Sequence, residues 1–161
     1  MADNNKTNNV IKRYTRRNVG DRYSAFRPEV WLDMQERQRP MLNLFRCDIG
    51  WSSLSFLKLT EVGCGSGSDL LDFLCLGFMP ENLCSIELLP ERAAARDVLS
   101  ARIIVHEGDA TTVSISPGSQ DVVFQSVVFS SLLDNGFQKE LANRMWKWAR
   151  PKGRTLVRFY L

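Results

Sequence analysis

The stretch LTEVGCGSGSDLLDFL, from Leu59 to Leu74, decides the fold of this 161-residue chain. An apolar run ends in alternating glycines at Gly63, Gly65 and Gly67, and a helical pattern follows directly. A strand that enters a helix through a tight glycine turn points backbone N–H groups and the positive helix end at a ligand. The first glycine allows the sharp turn, the second lets the ligand approach the backbone, and the third lets strand and helix pack closely. The stretch therefore predicts a ligand-binding loop.

Several ligand classes bind to loops of this kind. A Walker loop needs Lys and then Ser or Thr after its last glycine, and the sequence GSDLL supplies neither. The dinucleotide fingerprint GxGxxG/A is nearly matched, but the spacing here is GxGxG and Ser68 stands at the last position. Taken alone, the loop leaves a nicotinamide dinucleotide open as a ligand, and a glycine turn without any ligand is the structural alternative.

Strand and helix patterns alternate along the rest of the chain. Strands are predicted at 55–62, 83–86, 102–106, 121–129 and 154–160, and helices at 28–38, 41–46, 68–76, 90–99 and 137–150. Pro40 is expected to kink or break the first helical region. Trp146 and Trp148 are expected to face different sides of the last helix, with at least one in the core. The alternation predicts an α/β fold with right-handed crossovers and a parallel sheet covered on both faces.

Three carboxylates stand at the predicted carboxyl ends of strands, the edge at which open α/β sheets bind ligands. Glu61 ends the first strand, Glu87 ends the second, and Asp109 closes the third in the sequence EGDA. A carboxylate in the position of Glu87 can accept hydrogen bonds from both hydroxyls of a ribose. Asp109 is placed to accept from an exocyclic amine. Each acid alone could equally cap a helix or be solvated in a loop, but the set of three favours a nucleoside ligand.

From about Phe56 to the end, the chain resembles the class I S-adenosylmethionine-dependent methyltransferases. The sequence EVGCGSG resembles their first motif, E/DxGxGxG, and DVVFQSVVFSSLLD is similar to their fourth-strand motif. Glu87, in LCSIELLPERAAAR, resembles their ribose-binding acid, and EGDA resembles their adenine-contacting segment. The resemblance implies a Rossmann-like, mostly parallel sheet of order 3-2-1-4-5. The terminal strands 6 and 7 of the family sheet are expected to be missing from this chain. The upstream residues resemble the N-terminal cap of a bacterial subgroup found with polysaccharide-biosynthesis genes.

The same resemblance implies S-adenosyl-L-methionine as the cofactor. The positions that match the family motifs are Glu61, Gly63, Cys64, Gly65 and Gly67 for the methionine end, Glu87 and Leu88 for the ribose, Asp109 and Ala110 for the adenine, and Gln125 for the floor near the sulfonium. The implied reaction is an in-line transfer of the methyl group from sulfur to a nucleophilic atom. The protein would then mainly position and desolvate the reactants, so a dedicated base is optional.

No catalytic residue is predicted. His106, the one histidine of the chain, is expected to be structural rather than a general base, and Tyr14 and Tyr23 are candidates for a lid. The fourth strand reads QSVV and lacks the Asn/Asp-Pro-Pro-aromatic motif of amide-methylating enzymes, which favours O-methylation of a small molecule or glycan precursor. The alternatives are a truncated, catalytically impaired cofactor-binding protein and, third, an NAD-dependent oxidoreductase.

Composition and charge set the remaining expectations. Residues 1–46 hold ten Lys or Arg against five Asp or Glu, which predicts a basic helical cap or arm over residues 1–50 before a methyltransferase domain over residues 51–161. That excess is too small for nucleic-acid binding to be expected. The four scattered cysteines argue against a structural zinc or a disulfide framework. No apolar run or signal sequence suggests a membrane, so a cytoplasmic location is expected.

The last predicted strand carries the apolar run TLVRFY, with Arg154 and Arg158 as its charged residues. In the strand order that the resemblance implies, this fifth strand would form an edge of the sheet. Unpaired N–H and C=O groups along an edge invite pairing with another chain. Self-association through the fifth strand is therefore expected.

Overall fold

A computed structural model describes residues 10–12, 24, 26–93 and 99–158 of the chain. Within them lies one five-stranded sheet in the order β3-β2-β1-β4-β5, and all of its pairings are parallel. The strands are β1 Leu59–Val62, β2 Leu83–Glu87, β3 Ile104–Glu107, β4 Gln120–Ser126 and β5 Ala149–Arg158. The α/β fold and the strand order predicted from the sequence are confirmed.

Helices pack on both faces of this sheet. They are α1 Pro28–Asn43, α2 Ser68–Leu76, α3 Pro90–Ala93, α4 Val128–Ser131 and α5 Asn135–Trp148. A π-helical turn at Leu44–Asp48 follows α1, and a 3-10 turn at Pro80–Asn82 precedes β2. The predicted helix at 90–99 lies partly outside the described residues, as do the lid candidates Tyr14 and Tyr23. None of the described helices has the length and apolarity needed to cross a membrane.

Two apolar cores lie against the two faces of the sheet. The α2 face contains Phe73, whose ring makes edge-to-face contacts with Phe78 and Phe124 at centroid distances of 5.7 and 5.1 Å. The α5 face contains Met145 and Trp148. Every residue of β1 is buried, as expected for a central parallel strand that is covered on both sides. The sheet therefore forms a rigid base for the loops at its carboxyl edge.

Local sequence signals placed α2 correctly. The helix spans the predicted residues, and it ends at Gly77, whose φ of +108° is a left-handed conformation that glycine adopts without strain. Pro40 does not break the helix, as one form of the prediction had it, because α1 continues through this residue to Asn43. A kink at Pro40 stays a prediction. A proline here removes the hydrogen bond to the carbonyl of Glu36, an exposed residue, so water can replace that bond.

The fourth and fifth strands differ from their predictions at their ends. β4 stops at Ser126 rather than at residue 129, because Val127 has a left-handed φ of +63° and α4 begins next. β5 begins at Ala149, earlier than predicted, and its register with β4 shifts between Gln120 and Val122. A β-bulge of this kind cannot be read from alternation of apolar residues. Among the described strands β5 pairs only with β4, and self-association through β5 stays a prediction.

The two tryptophans of α5 provide a test of this core. Trp148 is 2% exposed and Trp146 is 75% exposed, as their spacing predicted. We expect Trp148→Ala to lower the free energy of unfolding by about 3–5 kcal/mol, because it leaves a large cavity in the core. Trp146→Ala, the matched control on the same helix, should change it by no more than about 0.5 kcal/mol. Urea denaturation would measure both, and equal losses would contradict the described orientation of α5.

Candidate functional site

A cavity opens at the carboxyl ends of β1, β2 and β3. It has a volume of about 570 Å³ counted with its open mouth. Its wall is formed by Val10, Val62, Gly63, Ile86, Glu87, Leu88, Leu89, Gly108, Asp109, Ala110, Val128, Leu132, Phe137 and Leu141. The lining is mostly apolar with two carboxylates, which is the usual composition of a site for a small molecule with a few polar anchors.

The glycine turn forms one end of the cavity. Gly63 has a φ of +77°, and a Cβ at this position would lie 2.6 Å from Cγ2 of Val128. Its N–H donates to the carbonyl of Ile86 at 2.7 Å, which joins the turn to β2. Gly67 has a φ of +82°, and a Cβ there would lie 3.0 Å from Cδ1 of Leu99. The positive φ therefore favours glycine at the first and third positions of the motif, and any larger residue would also displace the side chains of Val128 and Leu99.

Glu87 ends β2 and holds the middle of the glycine loop. Its Oε2 accepts a hydrogen bond from the N–H of Gly65 at 2.8 Å, and its Oε1 accepts one from the N–H of Leu89 at 2.9 Å. An ionised carboxylate has about four acceptor positions, so two remain after these bonds. Glu87 also lines the cavity. It can therefore accept two further hydrogen bonds from a ligand without releasing the loop.

Asp109 lies two residues after β3 rather than at its end, which corrects the prediction that it closes the strand. Its Oδ1 accepts hydrogen bonds from the backbone N–H and the hydroxyl of Thr111, each at 2.8 Å. The carbonyl of Glu87 accepts from the N–H of Gly108 at 2.9 Å, which fixes the two loops relative to each other. Asp109 and Ala110 form the wall of the cavity next to Glu87.

Glu61 is fully buried, and it lies behind the cavity wall rather than on it. Neither of its carboxylate oxygens accepts a hydrogen bond from the described residues. Burial raises the pKa of Glu61 well above the ordinary value of 4.5, and the nearby charges of Asp69 and Glu87 raise it further. A side-chain hydrogen bond with Asp69, which forms when one of the two carboxyl groups is protonated, acts in the same direction. The positive charge of Arg37 acts in the opposite direction. A buried carboxylate without a donor costs free energy unless a proton or a cation joins it.

Arg37 of α1 reaches two aspartates on α2. Its Nη1 lies 2.8 Å from Oδ1 of Asp69, and its Nη2 lies 2.7 Å from Oδ2 of Asp72. All three side chains are almost fully buried. The distances are those of ion pairs. The N–H groups of Arg37 do not point at the aspartate oxygens closely enough for these contacts to be hydrogen bonds as well. Burial raises the pKa of Asp69, and the charge of Arg37 opposes that rise. We refer to Arg37, Asp69, Asp72 and Glu61 as the buried charge cluster.

Gln125 and Cys64 have structural contacts in the ligand-free chain. The Oε1 of Gln125 accepts hydrogen bonds from the N–H groups of Val128 and Phe129 at 2.7 and 3.3 Å. Its buried Nε2 has no hydrogen-bond partner among the described residues. Burial raises the pKa of the Cys64 thiol to about 12, which keeps this thiol protonated. Gln125 therefore fixes the start of α4, whose first residue, Val128, lines the cavity.

The predicted residues fall into two groups. Gly63, Glu87, Leu88, Asp109 and Ala110 line the cavity. The others do not line the cavity, namely Glu61, Cys64, Gly65, Gly67 and Gln125. Their roles toward a cofactor stay predictions. His106 lies within β3 and does not line the cavity. No group of three or more His, Cys, Asp or Glu side chains in the described part of the chain is arranged to hold a metal ion.

Sequence reasoning missed the apolar wall and the buried charge cluster. Phe137 and Leu141 of α5 line the cavity, and their spacing of four residues places them on one face of the helix. From the sequence, that spacing predicts that both side chains are buried, but it does not predict that a ligand lies next to them. Asp72 stands among apolar residues of α2, and a buried aspartate requires a partner. The sequence does not name Arg37 as that partner.

The chain belongs to the Methyltransferase domain family, because the model of that family matches residues 60–157. This match includes the glycine turn and all three carboxylates at the edge of the sheet. It favours the methyltransferase interpretation over the NAD-dependent oxidoreductase that the glycine spacing alone left open. A comparison with curated proteins found no match.

Solved structures with the same fold include several methyltransferases. The PH0226 protein from Pyrococcus horikoshii OT3 has a TM-score of 0.69 and 16% identity, with 91% of this chain and 65% of that chain covered. CalS10, an amino pentose methyltransferase from Micromonospora echinaspora solved with bound SAM, has a TM-score of 0.63 and 20% identity, with 80% and 51% covered. The glycopeptide N-methyltransferase MtfA, solved with sinefungin, has a TM-score of 0.58 and 21% identity, with 73% and 51% covered. The chain spans between 51% and 65% of the length of these structures.

The raised pKa of Glu61 predicts a pH-dependent cost to stability. Between its unfolded and folded pKa values the folded state binds more protons, so the free energy of unfolding falls as the pH rises. We expect Glu61→Gln to remove this cost, so that the gain in the free energy of unfolding over the unaltered protein is larger at pH 8 than at pH 5. Urea denaturation at both pH values measures the difference.

The control is Glu140→Gln, which changes an exposed carboxylate of α5. It should show no gain that grows with pH. A Glu61→Gln variant that loses stability at pH 8 would contradict the prediction, because it would mean that the Glu61 charge is compensated in the ligand-free protein.

Proposed function

We propose that the chain is part or all of an S-adenosylmethionine-dependent methyltransferase. The observation that carries this proposal is Glu87, which faces the cavity beside the Gly63 turn with two acceptor positions left over. That arrangement fits the two hydroxyls of a ribose. Membership of the Methyltransferase domain family supports the same reading. Structural relatives solved with SAM or sinefungin give further support for the cofactor.

The residues at the edge of the sheet fit the parts of the cofactor in turn. Asp109 and Ala110 are adjacent on the cavity wall and would contact the adenine. Glu87 would accept from the ribose hydroxyls. Glu61 has two buried oxygens to which no N–H group of the described residues donates, and the α-ammonium group of the methionine end would be such a donor. Because Glu61 does not line the cavity, this contact requires the wall at Val62 and Gly63 to open. Each fit is a match between an acceptor of this chain and a donor of the ligand.

When bound, the cofactor supplies a methyl group on a positively charged sulfur, which is already a good leaving group. The chain's own residues bind, orient and exclude water. Val128, Leu132 and Phe137 form an apolar wall that keeps water away from the cavity. Alignment of the reactants is the main contribution that a protein makes to such a transfer, and it can supply several kcal/mol of the barrier reduction.

For the acceptor we propose a small molecule or a glycan precursor, methylated on oxygen. The choice of oxygen is supported by the fourth strand, which lacks the Asn/Asp-Pro-Pro-aromatic motif. A sugar-containing acceptor is supported by two structural relatives, which are named as an amino pentose methyltransferase and a glycopeptide N-methyltransferase, although the second of these methylates nitrogen. Sugar hydroxyls and sugar amines should therefore be assayed side by side. Transfer to the amine alone would overturn the O-methylation part of the proposal.

Titration calorimetry with S-adenosylmethionine, S-adenosylhomocysteine and NAD tests the cofactor directly. We expect the first two ligands to bind and NAD not to bind, because the carboxylates and the family match point to the sulfonium cofactor. Binding of NAD alone would overturn the proposal. A methyl-transfer assay on sugar acceptors then separates an active enzyme from a protein that binds the cofactor without turnover.

Glu87→Gln tests the ribose contact. The amide loses the charge and one accepting oxygen, so we expect S-adenosylhomocysteine to bind about 10- to 150-fold more weakly, the range for hydrogen bonds to charged groups. Glu107→Gln, at the paired position of β3, is the matched control and should leave the affinity unchanged. Adenosine and 2′,3′-dideoxyadenosine extend the test, because Glu87→Gln should reduce the difference between them. An unreduced difference would place the ribose elsewhere.

A further inference from the structure

The most deeply buried contact between α1 and the rest of the protein is polar. Arg37 is the single buried residue of this 16-residue helix. Its neighbours add further polar contacts, since Gln38 Nε2 donates to Asp72 Oδ1 at 2.7 Å and Asp33 Oδ1 accepts from Arg158 Nη2 at 2.7 Å. The apolar residues on the same face, Val30, Met34 and Met41, are only half-buried, and Met41 packs against the apolar core on the α2 side of the sheet. The position of α1 thus depends in part on a charged side chain that enters the protein beside the glycine-loop helix.

The buried charge cluster contains more negative than positive charge. It holds three carboxyl groups, Glu61, Asp69 and Asp72, and one guanidinium. Because Arg37 makes close ion pairs with both aspartates, Glu61 is left without a close cation. A buried carboxyl in that situation takes up a proton or binds a positively charged group. How strongly Glu61 prefers a cation to a proton depends on how well Arg37 neutralises the charges of Asp69 and Asp72.

We propose that Arg37 is a positioning residue for the methionine half of the cofactor. Its guanidinium neutralises Asp69 and Asp72, so that Glu61 carries the negative charge with which an α-ammonium group pairs. Arg37 acts through the carboxylates of α2, and the ligand group that it affects is held by Glu61. This inference rests on the proposed function, because it assumes that the ligand brings an ammonium group to Glu61.

The electrostatic direction of the effect follows from the surroundings of Glu61. The charged groups that face the cluster are Asp33 and Arg37 from α1, Asp69 and Asp72 from α2, Glu87 from β2 and Arg158 from β5. The Cys64 thiol is also close, and burial raises its pKa to about 12, so it stays neutral. Loss of the Arg37 charge leaves an excess of acids. The pKa of Glu61 then rises further, and a proton competes with the ammonium group.

The test measures binding of two ligands by titration calorimetry between pH 6.5 and pH 8.5. S-adenosylhomocysteine carries the α-ammonium group, and 5′-methylthioadenosine has the same nucleoside without the amino-acid part. For Arg37→Met we expect weaker binding of S-adenosylhomocysteine at pH 6.5, by about tenfold for each unit by which the pKa of Glu61 rises, and recovery toward pH 8.5. The affinity for 5′-methylthioadenosine should stay within about twofold of that of the unaltered protein.

Three further variants separate charge from simple docking of α1. Arg37→Lys keeps the charge and should restore most of the original pH profile. Gln38→Met removes a neighbouring contact between α1 and Asp72 without changing any charge, so its profile should not shift. Asp69→Asn removes an anion that raises the pKa of Glu61, so its profile should move toward lower pH. If Arg37→Met does not fold, the pH profile of Asp69→Asn alone tests the proposal for Arg37.

Each outcome is decisive. A loss of affinity that is equal for the two ligands, or that does not vary with pH, would overturn the inference and leave Arg37 as a structural residue. A shift of the Asp69→Asn profile toward higher pH would overturn it as well. If the unaltered protein binds S-adenosylhomocysteine, either result concerns Arg37 alone. If the unaltered protein does not bind this ligand at all, the proposed function fails and the inference fails with it.

Discussion

The hydrogen bond between the Glu87 carboxylate and the N–H of Gly65 is the contact on which the site depends. It crosses from the end of β2 to the middle of the loop between β1 and α2, and so fixes the loop relative to the sheet. The second oxygen of Glu87 holds the chain as it leaves β2 at Leu89. Charged acceptors form the stronger class of hydrogen bond, so one side chain organises two loops. The same carboxylate still has acceptor positions open toward the cavity.

Parts of this site that depend on local chemistry could be predicted from the sequence. The glycine turn follows from backbone conformation alone, since Gly63 and Gly67 both have a positive φ. The bounds of α2 follow from the residues that flank it. The carboxylates could be assigned to the edge of the sheet, because strand ends of a parallel sheet lie side by side.

Features that depend on distant residues could not be predicted. Arg37 and Asp72 are 35 positions apart in the chain, and no periodicity in either helix pairs them. The end of β4 at Ser126 was missed for a similar reason. The next residue, Val127, has a left-handed backbone conformation, which a β-branched residue rarely adopts, so its sequence does not indicate the end of the strand. Such strain persists only where the surroundings enforce it, and here it lies at the edge of the candidate site. The other non-glycine residue with a positive φ in the described part of the chain, Lys152, lies in β5 where the register with β4 shifts, and it does not line the cavity.

The polar attachment of α1 has a consequence for how the protein opens. Local unfolding of a segment costs little free energy where few apolar contacts must be broken, and the one fully buried side chain of α1 is the charged Arg37, with Met41 half-buried against the core. The ion pairs of α1 at the surface weaken as ionic strength rises. We therefore expect α1 to open at a lower cost in free energy than the sheet with its two apolar cores. Such an opening would expose the α2 aspartates and the region around Glu61 to solvent, and it gives a fully buried carboxylate a route for exchange with the surrounding solution.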